Sequence, residues 1–458
     1  MFRVVVGLVL LNGIWFIWSH RFLPLTDYPD WLYEGYLLSR MMRGHPMPHF
    51  ALKAYPVPNA WATVLLGGLD LAISPESAGK LVLTVVVVLF ALSSIYLLKS
   101  LHASERSAFM YVPLLFVFNT FLFAGELSYL WGLVFFFGYC GYLIRRRKDL
   151  NSISGWFYFG TSLVTFLAHL LPYMMAIGVT AIFALGERNP RFVRKVTVAF
   201  APTIAMTIWY AAARFNTEHL AATNLWVPWT VHMIAGSSLG SFSPFPEFLP
   251  WLGIDRPIMS AAAVLDLLTA ITIVGIWTMC ALVWIRGQRR DEIVLVAAAA
   301  LAAGFLAGGS GSAGLVNPGE RFLYPATWLA LCWLGGAWQT GPFPRGAHLA
   351  RAALCALLVA QAIFLDLYAG AAARGLEDLY AQLRAAPSRQ AFCSTYEDYR
   401  RRSYGTSGRR GLDRFLPDHG TSARLPYYMY IEDRAAAPIF TSGIFRYDGP
   451  GDNEDLCK

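Results

Sequence analysis

What most limits the fold of this chain is a spacing. Apolar runs, each close to the twenty or so residues that a helix needs to cross a hydrocarbon core, recur from the first residues to about position 369. Short polar clusters separate them, whereas a soluble protein would spread its apolar residues at amphipathic intervals. The windows 3–19, 79–98, 108–124, 127–144, 153–169, 171–186, 196–213, 261–285, 292–309, 322–339 and 349–369 predict an all-α polytopic membrane protein of about eleven transmembrane helices.

The basic residues give the orientation. Lys99 with Arg106, RRRK at 145–148, then Arg188, Arg191, Arg194 and Lys195, RGQRR at 286–290, and Arg345 with Arg351 all fall on one side if the N-terminus is cytoplasmic. The positive-inside bias makes that side the cytoplasm. Residues 57–73, VPNAWATVLLGGLDLAI, are apolar enough to pass for a crossing, but counting them would move RRRK to the wrong side. Asp70 and the adjacent glycines weaken a span, so a helix lying in the outer interface is expected. The outward regions are then the first loop 20–78, the turn at Gly125 and Glu126, the loop 214–260, the turn GGSGSAGLVNPGE before Arg321, and a small C-terminal appendage, 370–458, beyond a transmembrane domain of residues 1–369.

The N-terminal segment has the basic start and apolar run of a secretory signal. It lacks a small-residue cleavage site and runs into Trp15, Phe16 and Trp18, which suits an uncleaved anchor with an interfacial aromatic belt. The expected location is a bacterial-type cytoplasmic (inner) membrane, with the C-terminus extracytoplasmic. Charged residues make up 14% of the chain, against about 25% in an average soluble domain. The formal charge of +8 is spent on orientation, so nucleic acid is not expected as a partner. Cys140, Cys280, Cys332 and Cys355 fall inside spans, as small apolar side chains. Cys393 and Cys457 belong to the appendage and are candidates for a disulfide.

Chemistry concentrates outside. In LPLTDYPDW, Asp27 and Asp30 stand where the chain leaves the bilayer, in a segment that Pro24 and Pro29 bend. Asp27 as a helix cap is one reading; a functional acid is the other, favoured by Glu34, His45 and His49 in a loop longer than a connector needs. In NPGERFLYPA, Arg321 beside Glu320 is either a self-satisfied ion pair or a snorkelling anchor, or else its guanidinium fork holds a lipid phosphate. His169, in FLAHLLPYMM, is more often a structural group than a base at such a place. The 214–260 loop sets Arg214, Glu218, His219, His232, Glu247, Asp255 and Arg256 among Trp226, Trp229 and Trp251, a mixture that suits sugars and membrane interfaces alike.

Together, Asp27-Tyr28-Pro29-Asp30 and Glu320-Arg321-Phe322-Leu323-Tyr324-Pro325, with an uncleaved first span, a long first outer loop and an outer C-terminus, resemble the GT-C superfamily of integral-membrane glycosyltransferases. These use polyprenyl-phosphate sugars, as protein O-mannosyltransferases and aminoarabinose transferases do. The common bacterial motif has a histidine where this chain has Asp30, which leaves Asp30 as a second acid, a metal ligand or a cap. The resemblance implies that Asp27 is the catalytic carboxylate, that Arg321, with Tyr324, contacts donor phosphate, and that Glu34, His45, His49, His169, Arg256 and Glu320 are substrate-binding candidates. The donor would be a polyprenyl-phosphate sugar and the acceptor a glycan, lipid or protein. A divalent metal is compatible with the residues and not required by them. Such transfer needs a base, a cation for the leaving phosphate and a water-poor cleft; a single displacement inverts the anomeric carbon. The alternatives are a lipid or solute transporter, against which the sparse charges within spans, Asp266 and Asp366, argue, and a non-catalytic subunit of an envelope-polymer assembly complex.

Overall fold

The computed structural model describes residues 2–25, 27–45, 47, 50–101, 108–187, 189–217, 257–287, 291–308, 311–312, 315–316, 318–338, 346–366, 370–386, 388, 391, 394 and 443–447. They are mostly helical. In chain order the helices are α1 (Phe2–Ser19), α2 (Tyr28–Met42), α3 (Ala60–Leu69), α4 (Pro75–Ser100), α5 (Val112–Leu115), α6 (Thr120–Phe123), α7 (Leu127–Arg145), α8 (Gly155–Ala168), α9 (Leu170–Glu187), α10 (Pro190–Thr217), α11 (Pro257–Ile285), α12 (Glu292–Gly308), α13 (Pro318–Trp338), α14 (Gly346–Phe364) and α15 (Gly370–Arg384). The strands β1 (Phe50–Leu52) and β4 (Phe445–Tyr447) form one antiparallel pair; β2 (Gly311–Ser312) and β3 (Leu315–Val316) form another.

Four helices among the described residues are long and apolar enough to cross a membrane: α1, α4, α7 and the Pro190–Arg214 part of α10. The apolar helices Gly155–Ala168 and Leu170–Gly186 are shorter; at 1.5 Å per residue the first is only about 21 Å long. By length and composition, four of the expected crossings are met among the described residues. Residues 60–69 form the ten-residue α3, about 15 Å long and half of a hydrocarbon core.

The window 108–124 departs most from expectation. Instead of one helix it forms a 3₁₀ turn at Ala108–Tyr111, then α5 and α6, each four residues long. Pro113 stands in the first turn of α5. Beyond it the Asn119 side-chain amide donates to the Phe116 carbonyl at 2.8 Å, taking the acceptor on which a continuing ladder depends. The Tyr324 hydroxyl donates to the same carbonyl at 3.1 Å. A break so fully capped is tolerable in a buried segment, and Leu114–Phe118 are all buried.

The chain divides into two compact units, one of residues 1–6, 88–120 and 131–359, the other of residues 7–87, 121–130 and 360–458. In the first, α13 packs on α11 and α12. Phe116 lies 5.7 Å from Tyr324 and 4.9 Å from Trp328, ring centroid to centroid. A hydroxyl chain joins α8, α9 and α10: Tyr173 donates to Thr203 at 2.9 Å, which reaches Ser162 at 3.2 Å. Such bonds are the glue that small hydroxyl residues supply between apolar helices.

In the second unit α2 packs on α3 at van der Waals limits. A Cβ added to Gly35 would sit 2.6 Å from Leu66 Cβ, and one added to Gly67 would sit 2.8 Å from Leu38 Cδ2. Tyr33, Leu37, Phe50 and Phe445 close a small core beneath the β1–β4 pair, in which Phe50 faces Tyr447 and Leu52 faces Phe445. Farther along, α15 docks by the Phe22–Tyr380 contact, 4.8 Å between centroids. There the Arg21 amide donates to Glu377 at 3.0 Å.

Candidate active site

Asp27 occupies the N-cap position of α2, but its side chain makes no capping hydrogen bond. The cap reading of this residue therefore fails, and its place is fixed by backbone. The Asp27 amide donates to the Ala124 carbonyl at 2.9 Å, and the Asp27 carbonyl accepts from the Trp31 amide at 3.4 Å. Trp31 adds an indole bond to the Gly125 carbonyl at 3.0 Å. Gly125 has φ of +74° and lies so close to the helix start that a Cβ there would fall 2.6 Å from the amide nitrogens of Asp27 and Tyr28. Only glycine serves at such a point. Gly125→Ala should destabilise the protein by about 1–3 kcal/mol through left-handed strain and the clash, read as a lower melting temperature in detergent.

The turn that carries Gly125 also delivers Glu126, half-buried, to the N-terminal end of α2. Asp30 lies one turn beyond Asp27 and Glu34 one turn beyond that, so the three acids share a helical face. Asp27 and Asp30 are half-buried, while Glu34 is 1% exposed.

Glu34 is a different kind of acid. The Thr63 hydroxyl donates to its Oε2 at 2.7 Å, and the backbone of Gly443 is packed so tightly against it that a Cβ there would sit 2.4 Å from the same oxygen. Burial pushes its carboxyl up to about 7, against the opposing pull of Thr63 and Lys53. The folded protein thus holds this proton more tightly than the unfolded chain. The stabilisation is fully present below the ordinary carboxyl range near 4.5 and is lost as pH rises through about 7, on the order of 3 kcal/mol. Melting curves of the wild type and Glu34→Gln should coincide near pH 5 and separate above pH 7, with the wild type the less stable there.

Arg321 stands near the start of α13, half-buried. Its Nη1 lies 3.1 Å from His169 Nε2. His169 ends α8 with extended backbone, and its Nδ1 accepts from the Leu171 amide at 3.1 Å. A neutral imidazole has one acceptor nitrogen, yet two donors converge on this ring. Leu171 takes Nδ1, and the tautomer of the ring sets the direction of the contact between Nε2 and the guanidinium. Gly132 packs against the His169 Cβ and Pro172, with a Cβ placed 3.2 Å and 2.7 Å away, and fixes the ring's place.

The remaining candidates are dispersed. Tyr324 does not present its hydroxyl to a ligand: it is buried, donates to Phe116 and accepts from Asn119 at 3.4 Å. It braces the broken segment instead. His45 is exposed and follows the far end of α2, a helix of fifteen residues and thus about 22 Å long, so it cannot share a metal ion with Asp27. Among the described residues no three His, Cys, Asp or Glu side chains gather in a way that could hold a metal. Asp70 ties α3 to α2, accepting from Ser39 at 2.6 Å while its carbonyl accepts from Arg43 at 2.7 Å. Cys140, Cys280, Cys332 and Cys355 are free thiols. His49, Arg256, Cys393 and Cys457 lie outside the described residues, as does the loop 218–256, and only the backbone of Glu320 is described. The signals missed in the sequence were Gly125, a glycine before an acid in a tight turn, and the pairing of His169 with Arg321. Comparison with protein-family models, with curated proteins and with solved structures finds no match to this chain.

Proposed function

We propose that the protein is a membrane glycosyltransferase of GT-C type that moves a sugar from a polyprenyl-phosphate donor to an acceptor glycan, lipid or protein on the outer face of a bacterial cytoplasmic membrane. Its topology in this reading is about eleven crossings, including the broken segment at 108–124, with the N-terminus cytoplasmic and the C-terminus outside. Exposed apolar stripes support a lipid surround: Val4, Leu8, Leu11 and Trp15 follow one another on one face of α1.

One observation carries the functional reading. Asp27 sits at the head of α2, its amide bonded to the Ala124 carbonyl, and its carboxylate is not used as the helix cap. It is the general base that takes the acceptor hydroxyl proton. The acceptor oxygen then bonds to the anomeric carbon as the bond from that carbon to the donor phosphate breaks, and the phosphate leaves with the electron pair. The resemblance assigns the charge on the leaving phosphate to Arg321. The products are the inverted glycoside and polyprenyl phosphate. Asp30 and Glu126 stand nearest in sequence and turn to assist or replace the base.

The deciding experiment supplies purified protein in nanodiscs with a radiolabelled polyprenyl-phosphate sugar and an envelope extract. Transfer of label to acceptor supports the enzyme. Translocation of the donor without transfer makes the protein a carrier, and donor binding alone makes it a subunit of a larger assembly.

A further inference from the structure

The ends of α4 and α7 meet at one face of the first unit. Gly141 brings them close, since a Cβ there would lie 2.7 Å from Tyr96 Cδ1 and 3.1 Å from Leu97 Cα. Lys99 is in the last turn of α4 and Arg145 in the last turn of α7. Between and beyond them opens a cavity of about 690 Å³ lined by Tyr96, Lys99, Ser100, Ile144, Arg145, Arg147 and Lys148.

Basic residues at helix ends ordinarily complement the helix dipole and orient the chain, projecting one by one into water. Here they surround a hollow. Its described lining holds four cationic side chains and no carboxylate. Arg147 is paired with Asp291, and Arg145 and Lys148 add further positive charge to the lining. The neighbouring Asp149 carboxylate accepts from the Ser152 amide at 3.2 Å and does not line the hollow. The volume is that of a small-molecule site. Leu92, one turn before Tyr96 on α4, is 48% exposed, and Val85 and Leu81 are exposed farther back along the helix, so apolar side chains continue away from the cavity.

We propose that this cavity binds the phosphate headgroup of an anionic membrane lipid, with the acyl chain lying along α4 past Leu92. Cations set around a pocket at a helix end recognise such headgroups, and a guanidinium among them grips phosphate by two parallel bonds. The site is independent of the proposed transferase chemistry.

The test uses the full chain in phosphatidylcholine nanodiscs doped with fluorescent phosphatidylglycerol, read by energy transfer from protein tryptophan. The wild type should bind the anionic lipid. Lys148→Gln should weaken it several-fold, and Lys99→Gln with Arg145→Gln and Lys148→Gln about tenfold or more. Arg146→Gln, which removes an adjacent exposed charge outside the lining, should change little. Equal losses in Lys148→Gln and Arg146→Gln would reduce the effect to net charge and overturn the site. Undiminished binding in the triple variant would overturn it as well. Displacement of the lipid by millimolar inorganic phosphate would assign the cavity to a soluble phosphate compound and refute the lipid. The wild-type lipid dependence and the single variants decide the matter even if the triple variant does not fold.

Discussion

Asp27→Asn is expected to abolish sugar transfer, a fall of about 10²- to 10⁴-fold for loss of a general base, while donor binding and melting temperature hold. The asparagine keeps the size of the side chain, and the bonds of the backbone amide and carbonyl of residue 27 are untouched by the change. What it cannot do is accept a proton. The check is a single-turnover assay with labelled polyprenyl-phosphate sugar beside an equilibrium measurement of donor affinity. Retained transfer would move the base elsewhere, and Asp30→Asn and Glu126→Gln are the next variants to examine. Loss of both transfer and affinity would show that residue 27 holds the donor instead.

Arg321→Gln should have the opposite signature, a raised donor dissociation constant. Hydrogen bonds to charged partners contribute about 1.5–3 kcal/mol, so a roughly 10- to 150-fold loss is expected. Arg321→Lys should recover only part of it, because an ammonium lacks the planar fork. His169→Ala should weaken donor binding less than Arg321→Gln does, since it removes a neutral ring rather than a charge. If Arg321→Gln leaves donor affinity unchanged, the guanidinium serves only to brace the His169 ring.

The reach of sequence reasoning can be argued from particular residues. Hydropathy and length identified α1, α4, α7 and α10, because long apolar runs have few ways to fold. It could not distinguish a continuous crossing from the broken segment at 108–124, since the residues that break it are as apolar as those of its neighbours. Pro113 and Asn119 carry the difference, through a lost amide and a competing side-chain donor. Adjacency of Tyr324 to Arg321 in sequence says nothing of where its hydroxyl goes, which is to the Phe116 carbonyl. The acid face of α2 was legible as local spacing. The seating of its first turn on Gly125, about ninety residues away, and the Arg321–His169 contact, 152 residues apart, were not, because long-range contacts leave no local periodicity.

The pairing of β1 with β4 sets an order on biogenesis. Phe50 is synthesised roughly four hundred residues before its partner Tyr447, so the pocket around Glu34 stays unroofed, its carboxylate wet and ionised, until Gly443 has been made. A lesion near position 443 would therefore injure the first loop, and a ribosome stalled before that position would leave the loop assembled but unsealed.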